Sequence, residues 1–109
     1  MASFERYTAN SVTTASTVHT SNASDASQAD ILIGFSIANT HASSTATVDA
    51  YINLNGGNDI HLVKGAQIPA GGAIEVIQGK IVLDNNDAVK VSSDVAVDCW
   101  LSVLDNASA

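Results

Sequence analysis

Three histidines, His19, His41 and His61, are the first side chains to test for chemistry, because imidazole both ligates metals and moves protons near neutral pH. None has a second histidine two or four residues away or a cysteine nearby, so the spacing predicts no metal ligand among them and no cofactor. The stretches 55–59 and 84–87, the latter Asp-Asn-Asn-Asp, carry oxygen ligands but lack the spaced acids and closing Glu of a calcium loop; they read as turns. Glu75, Asp84 and Asp87 are the acids available for a glycosidase pair, yet such a pair needs a cleft of defined width. A 109-residue chain with two Phe, two Tyr and one Trp has little material for a sugar groove. No serine stands in a G-x-S-x-G elbow. Gly65, Gly71, Gly72 and Gly79 lack the Lys-Ser/Thr ending of a phosphate loop. The expectation is a protein that is not an enzyme, with no catalytic residue.

The elements that must carry these residues read as strands. Residues 31–37 place Ile31, Ile33, Phe35 and Ile37 on one face of a strand, with Leu32 out of step. Residues 46–54 alternate more cleanly: Ala46, Val48, Ala50, Ile52 and Leu54 against Thr45, Thr47, Asp49, Tyr51 and Asn53. Asn55-Gly56-Gly57-Asn58 supplies the positive backbone dihedrals of a tight hairpin, so residues 59–63 are expected to run back beside that strand. Residues 64–72, with Gly65, Pro69, Gly71 and Gly72, read as a connection. Short strands follow around Ile74 and Val76, at 81–83, and at Val89 and Val91. The last, 95–104, puts Val95, Val97, Cys99, Leu101 and Val103 on one face and Asp98, Trp100, Ser102 and Leu104 on the other. No segment sustains a 3.6-residue period, and β-branched residues dominate the apolar positions. The predicted fold is all-β: an antiparallel β-sandwich, jelly-roll or Ig-like, over residues 31–109.

Residues 1–30 differ. They are rich in Ser, Thr, Ala and Asn, with Phe4, Tyr7, Val12 and Val18 at intervals, and read as an extended arm with an edge strand near 16–20 and a polar loop over 21–30. Such an arm cannot bury enough surface to order itself and needs a neighbour. Two glycosylation sequons, Asn22-Ala23-Ser24 and Asn106-Ala107-Ser108, are short enough to arise by chance.

Composition narrows the partners. Eleven acids against four bases give a net charge of −7, and Arg6, Lys64, Lys80 and Lys90 are scattered, so neither nucleic acid nor an anionic membrane surface is an expected partner. No run approaches the roughly 20 apolar residues of a spanning helix, and the first residues carry no basic region followed by an apolar core, so no targeting segment is expected. The single Cys99 excludes an internal disulfide framework and reads as a buried strand residue. Only 14% of residues are charged while 46% are hydrophobic, a surface of small polar side chains suited to packed, wet interfaces. Self-association, as dimer or trimer, is expected to supplement the modest stability of so small a domain. Trp100, on a face otherwise lined by Asp and Ser, is the leading interface candidate, and Tyr51 poses the same question on its own strand.

One resemblance sharpens this. Leu62-Val63-Lys64, Ile68-Pro69-Ala70-Gly71-Gly72, Lys80-Ile81-Val82-Leu83, Asp87-Ala88-Val89-Lys90-Val91 and the closing Val97-Asp98-Cys99-Trp100-Leu101-Ser102-Val103-Leu104 resemble small virion structural proteins of tailed bacteriophages, especially those of cyanobacteria and marine bacteria. Residues 33–52, with Ala38-Asn39-Thr40 and Thr47-Val48-Asp49, look like that family's central hairpin, so about two thirds of the chain is covered. The N-terminal arm departs most, lacking a short strand and proline turn before the first core strand. The resemblance implies a non-enzymatic capsid decoration (cement) protein, made in the host cytoplasm and bound to the major capsid protein on the virion exterior. Phe4, Arg6 and Tyr7 would then anchor the arm, and Tyr51 and Trp100 would line subunit contacts. A neck, tail or fibre component of the same particle, or a carbohydrate-binding module, are the alternatives.

Overall fold

A computed structural model describes residues 3–21 and 29–105, which form nine strands and no helix. The strands are β1 (Ser3–Val12), β2 (Ser16–Thr20), β3 (Asp30–Asn39), β4 (Ala46–Asn53), β5 (Asp59–Ile68), β6 (Ala73–Glu75), β7 (Ile81–Leu83), β8 (Ala88–Ser93) and β9 (Val97–Asp105). Residues 22–28 of the polar loop and both sequons lie wholly or partly outside the described residues.

One sheet has the order β1-β9-β3-β6, with β7 also paired to β3, and the other has β2-β8-β4-β5. All pairs are antiparallel. β6 and β7 occupy successive stretches of one edge of β3, against 36–38 and 30–32, and act as one interrupted strand. The pairs are therefore nested: β4 with β5, β3 with β6 and β7, β2 with β8, β1 with β9, alternating between the two sheets. A long hairpin wound on itself in this way is a jelly roll. The expected sandwich is the fold found.

At the tip of that hairpin the turn is the one its residues call for. Asn55 and Gly56 have φ of 47° and 75°, and the Leu54 N–H donates to the Asn58 carbonyl at 2.9 Å. β5 runs longer than the sequence pattern indicates, to Ile68, because Gly65 adopts φ 68° and lets the strand bulge, its N–H donating to Asp49 Oδ1 at 2.7 Å. Only Pro69, Ala70, Gly71 and Gly72 then remain as connection.

Alternation builds the core between the sheets. Leu32, Phe35 and Ile37 from β3 meet Val48, Ala50 and Ile52 from β4, Val89 and Val91 from β8, and Val97, Cys99, Leu101 and Val103 from β9. Each large apolar side chain taken out of water there contributes about 1.5–3 kcal/mol. The faces of β3 correct the simple pattern. Leu32 pairs with Val103 and Gly34 with Ser102, so Ile33 is an extra residue, and the strand changes parity there. Asp30 and Leu32 point inward before the bulge and Phe35, Ile37 and Asn39 after it, while Ile31 and Ile33 turn out. Leu54 and Val95 also fall short of the core, Leu54 lying exposed just past the end of β4 and Val95 half-buried before β9 begins.

Residues 3–20 join the sandwich through two strands. β1 pairs with β9 from Ser3↔Asp105 to Val12↔Val97, and β2 with β8. The neighbour that orders the N-terminal segment is thus this chain's own last strand. The extra residue Ser11, at φ 55° and donating its N–H to Asp98 Oδ1 at 3.0 Å, turns Val12 into the core.

Asn39 ties the opposite end together. Fully buried, it donates from Nδ2 to the carbonyls of Ser44 (2.8 Å) and Ile68 (2.9 Å) and accepts at Oδ1 from the His41 N–H (2.9 Å). Replacing Asn39→Ala strands those three backbone groups, and it is expected to cost about 3 kcal/mol, read as a lower urea midpoint at unchanged m.

Cys99 yields a second prediction. Burial, with the Asp98 charge adding to it, pushes its thiol from 9.0 up to about 12. Because the folded pKa is raised, the associated stability is intact below pH 9 and is lost as pH rises toward 12. Stability should fall with a slope of up to about 1.4 kcal/mol per pH unit above pH 9 from this group. Urea melts of Cys99→Val at pH 8 and 10 should lack that component, and native Cys99 should resist a thiol reagent at pH 8 until urea unfolds the chain.

Candidate interaction face

Residues paired across antiparallel strands project to the same side, so the register of the β1-β9-β3 sheet shows which side chains share its outer face. Phe4 pairs with Leu104, Leu104 with Ile31, and Ile31 with Val82, making an apolar row across four strands. Phe4 is 77% and Val82 62% exposed, so nothing within the described residues covers the ends of this row. The next row is Arg6, Ser102 and Gly34, and the next is Thr8, Trp100, Ser36 and Glu75. Ile33, pushed out by the bulge, sits between the first two.

The middle row is cut low at Ser102 and Gly34, whose side chains are small. A Cβ on Gly34 would lie 3.5 Å from Ser102 Cβ, ordinary contact, so glycine here is a matter of relief and not of backbone strain. The result is an open depression of about 610 Å³ lined by Phe4, Glu5, Arg6, Ile33, Ser102 and Val103. Arg6 leans from its rim over Trp100, with Cζ 5.6 Å from the ring centroid. At an exposed site that contact is worth roughly 0.5–1 kcal/mol. It leaves the guanidinium available to a partner's carboxylate. Arg6 is the cation of this patch, with Glu5 in the lining of the depression and Glu75 at the far end of the third row.

Of the five residues singled out from sequence, Phe4, Arg6 and Trp100 meet on this face. Tyr51 does not join them. It lies on the outer side of the other sheet, half-buried beside His61, ring centroids 5.1 Å apart, and burial with the Asp59 and Asp49 charges raises its hydroxyl pKa.

Tyr7 does not join them either; it turns inward. Its ring stacks on His19 with centroids 4.0 Å apart, and its hydroxyl donates a hydrogen bond to Asp105 Oδ2. His19 Nε2 lies 2.8 Å from Asp30 Oδ2 and 3.9 Å from Asp105 Oδ1. Burial, then the hydrogen bond to Asp105, raises the Tyr7 pKa and keeps it a donor. Burial also pushes the Asp105 carboxyl up, with the Asp30 charge adding to it against the opposing pull of Tyr7 and His19. Spacing along the chain left His19 isolated; the fold brings it to two carboxylates from β3 and β9, and no local motif signals that grouping.

No family model matches this chain, and no curated protein matches it. A solved structure from work on disulfide-linked pili of Bacillus endospore appendages is similar, with 12% identity and a TM-score of 0.48 over 96% of this chain and 87% of that one. Overlap at that level carries no functional argument. Any reading of this chain's function therefore starts from its own faces.

Because Phe4 and Trp100 are exposed and touch little of the core, Phe4→Ser and Trp100→Ala are each expected to change unfolding stability by about 1 kcal/mol or less. Urea melts check this, and they establish these variants as probes of binding rather than of folding.

Proposed function

We propose that this protein is a capsid decoration, or cement, protein of a tailed bacteriophage, a non-enzymatic jelly roll that docks on the outside of the head and holds major capsid proteins together. The observation that carries the reading is the uncovered outer face of the β1-β9-β3 sheet, with Phe4, Leu104, Ile31, Ile33 and Val82 beside the Arg6 and Trp100 pair. An apolar row flanked by an Arg–Trp pair favours a docking surface on a small protein. The weakly charged, Ser/Thr-rich exterior suits many modest contacts repeated over a symmetric shell.

The particle itself comes from the motif resemblance of residues 62–104, joined to the fold that the resemblance implies. Jelly rolls also serve as lectins and cupins, so the fold alone names no partner. In this reading β1 holds a specific place. It is an edge strand, ten residues long, whose outward side chains Phe4 and Arg6 belong to the docking face, and its second edge pairs with no strand among the described residues. A capsid subunit contacting the face would cover that edge too, which otherwise invites aggregation.

Two measurements test this. Quantified against the major capsid protein in purified particles, the chain should be present in hundreds of copies at a fixed ratio to the capsid subunit. A handful of copies would move it to the neck, tail or fibres, and absence would remove the virion reading. Binding to stripped heads should be lost on Trp100→Ala or Gly34→Leu, the latter filling the depression without requiring a forbidden backbone angle. Wild-type binding by both folded variants would show that this face is not the docking surface.

A further inference from the structure

The cluster beneath the docking face has the makings of a metal site. His19 Nε2, an Asp30 carboxylate oxygen and an Asp105 carboxylate oxygen all lie within 4.8 Å of one another. They come from three strands in both sheets: β2 on one side of the core, β3 and β9 on the other. His19 and Asp30 are buried, with 8% and 2% of their side chains exposed. Two carboxylates facing one imidazole leave an excess of negative charge in a place where water screens it poorly. Arg6, the basic residue on the neighbouring stretch of β1, is turned to the opposite side of the sheet over Trp100.

Asp105 makes the deficit local. Tyr7 holds Oδ2, while Oδ1 is buried and has no hydrogen-bond partner among the described residues, its nearest basic atom being His19 Nε2 at 3.9 Å. An acceptor oxygen in that position lacks a cation or a donor.

We infer that His19, Asp30 and Asp105 form a three-ligand site for a divalent transition metal ion of the zinc type, with a fourth position open. Zinc bonds of about 2.0–2.2 Å to nitrogen and carboxylate oxygen place tetrahedral donors roughly 3.3–3.6 Å apart. The His19–Asp30 and His19–Asp105 separations of 2.8 and 3.9 Å straddle that value, and all three donor atoms lie within 4.8 Å of one another, so an ion enters through side-chain adjustment. One imidazole with two carboxylates is a donor set for zinc, cobalt or manganese. It is poor for calcium, which takes six to eight oxygens. Tyr7 is the positioning residue: its hydroxyl fixes the Asp105 carboxylate through Oδ2, turning Oδ1 toward the site, and its ring holds the imidazole plane by stacking. The ion would clip β2 to β3 and β9 directly under Ile31 and Leu104, closing the sandwich at the docking end.

The test uses the full chain, stripped with chelator and titrated with Zn²⁺ by calorimetry and thermal melting. The expected result is one ion per chain, with Tm raised on the order of 10 °C at zinc a hundredfold above Kd. Asp105→Asn, isosteric and still able to accept from Tyr7, should stay folded in chelator and weaken zinc by more than about 100-fold; Tyr7→Phe should weaken it about 10-fold. His41→Ala with His61→Ala should leave the zinc affinity and the zinc-induced rise in Tm unchanged. Co²⁺ should show the intense visible bands of four-coordination in wild type, and should lose them in Asp105→Asn and, as a second variant, His19→Gln. No saturable binding, binding that survives both Asp105→Asn and His19→Gln, binding lost with the surface histidines, or equal stabilisation by Ca²⁺ would each overturn the assignment.

Discussion

The bulge at Ile33 is the constraint on which both sides of the β1-β9-β3 sheet depend. Without it β3 would keep one parity from Asp30 to Asn39, and either its first half or its second would present the wrong face to the core. With it, Asp30 and Leu32 face in at one end and Phe35, Ile37 and Asn39 at the other. The inward Asp30 reaches His19, and the inward Asn39 reaches the carbonyls of Ser44 and Ile68. The same inserted residue projects Ile33 and completes the apolar outer row with Ile31. A strand that must supply a core, a polar cluster, a clamp and an apolar outer row in ten residues has too many duties for strict alternation, and one extra residue resolves them.

That is also where reading the sequence stops working. The alternation of residues 46–53, the Asn-Gly-Gly-Asn tip and the short strand at 81–83 follow from local rules, because side-chain period and turn dihedrals are properties of neighbouring residues. β3 showed its irregularity only as a misplaced Leu32. β5 hid its length behind Gly65, since a glycine that breaks a strand and one that bulges it look alike until the partner Asp49 is known. The N-terminal segment looked too polar to order itself, and locally it is; what orders it is β9, almost a hundred residues away in the chain, the pairing with the largest loop to close.

The sites divide in the same way. Trp100 was legible because a lone indole on a polar strand face is anomalous by itself, and Phe4 and Arg6 were legible as sparse large side chains in a Ser/Thr-rich stretch. Their meeting was not, since it needs the β1–β9 register. Tyr7 belonged by composition with Phe4 and Arg6, yet odd parity sends it to the other side of the sheet. His19 appeared inert because metal and proton-transfer motifs are recognised within one element, whereas its partners lie 11 residues away and at the far end of the chain.

The outer row and the inner cluster are carried by adjacent residues of the same strands. Leu104 and Asp105, and Ile31 and Asp30, are neighbours with opposite parity, so the apolar contact surface and the buried charge are two sides of one patch of sheet. The two ends differ in chemistry: the far end has the neutral, satisfied Asn39 clamp, while here two carboxylates lie beside one imidazole and Asp105 Oδ1 has no hydrogen-bond partner among the described residues. Unrelieved, that charge opposes the approach of β2 to β3 and β9 beneath Phe4 and Leu104. Anything that neutralises the cluster, a proton or a cation, draws the sheets together and fixes the face above.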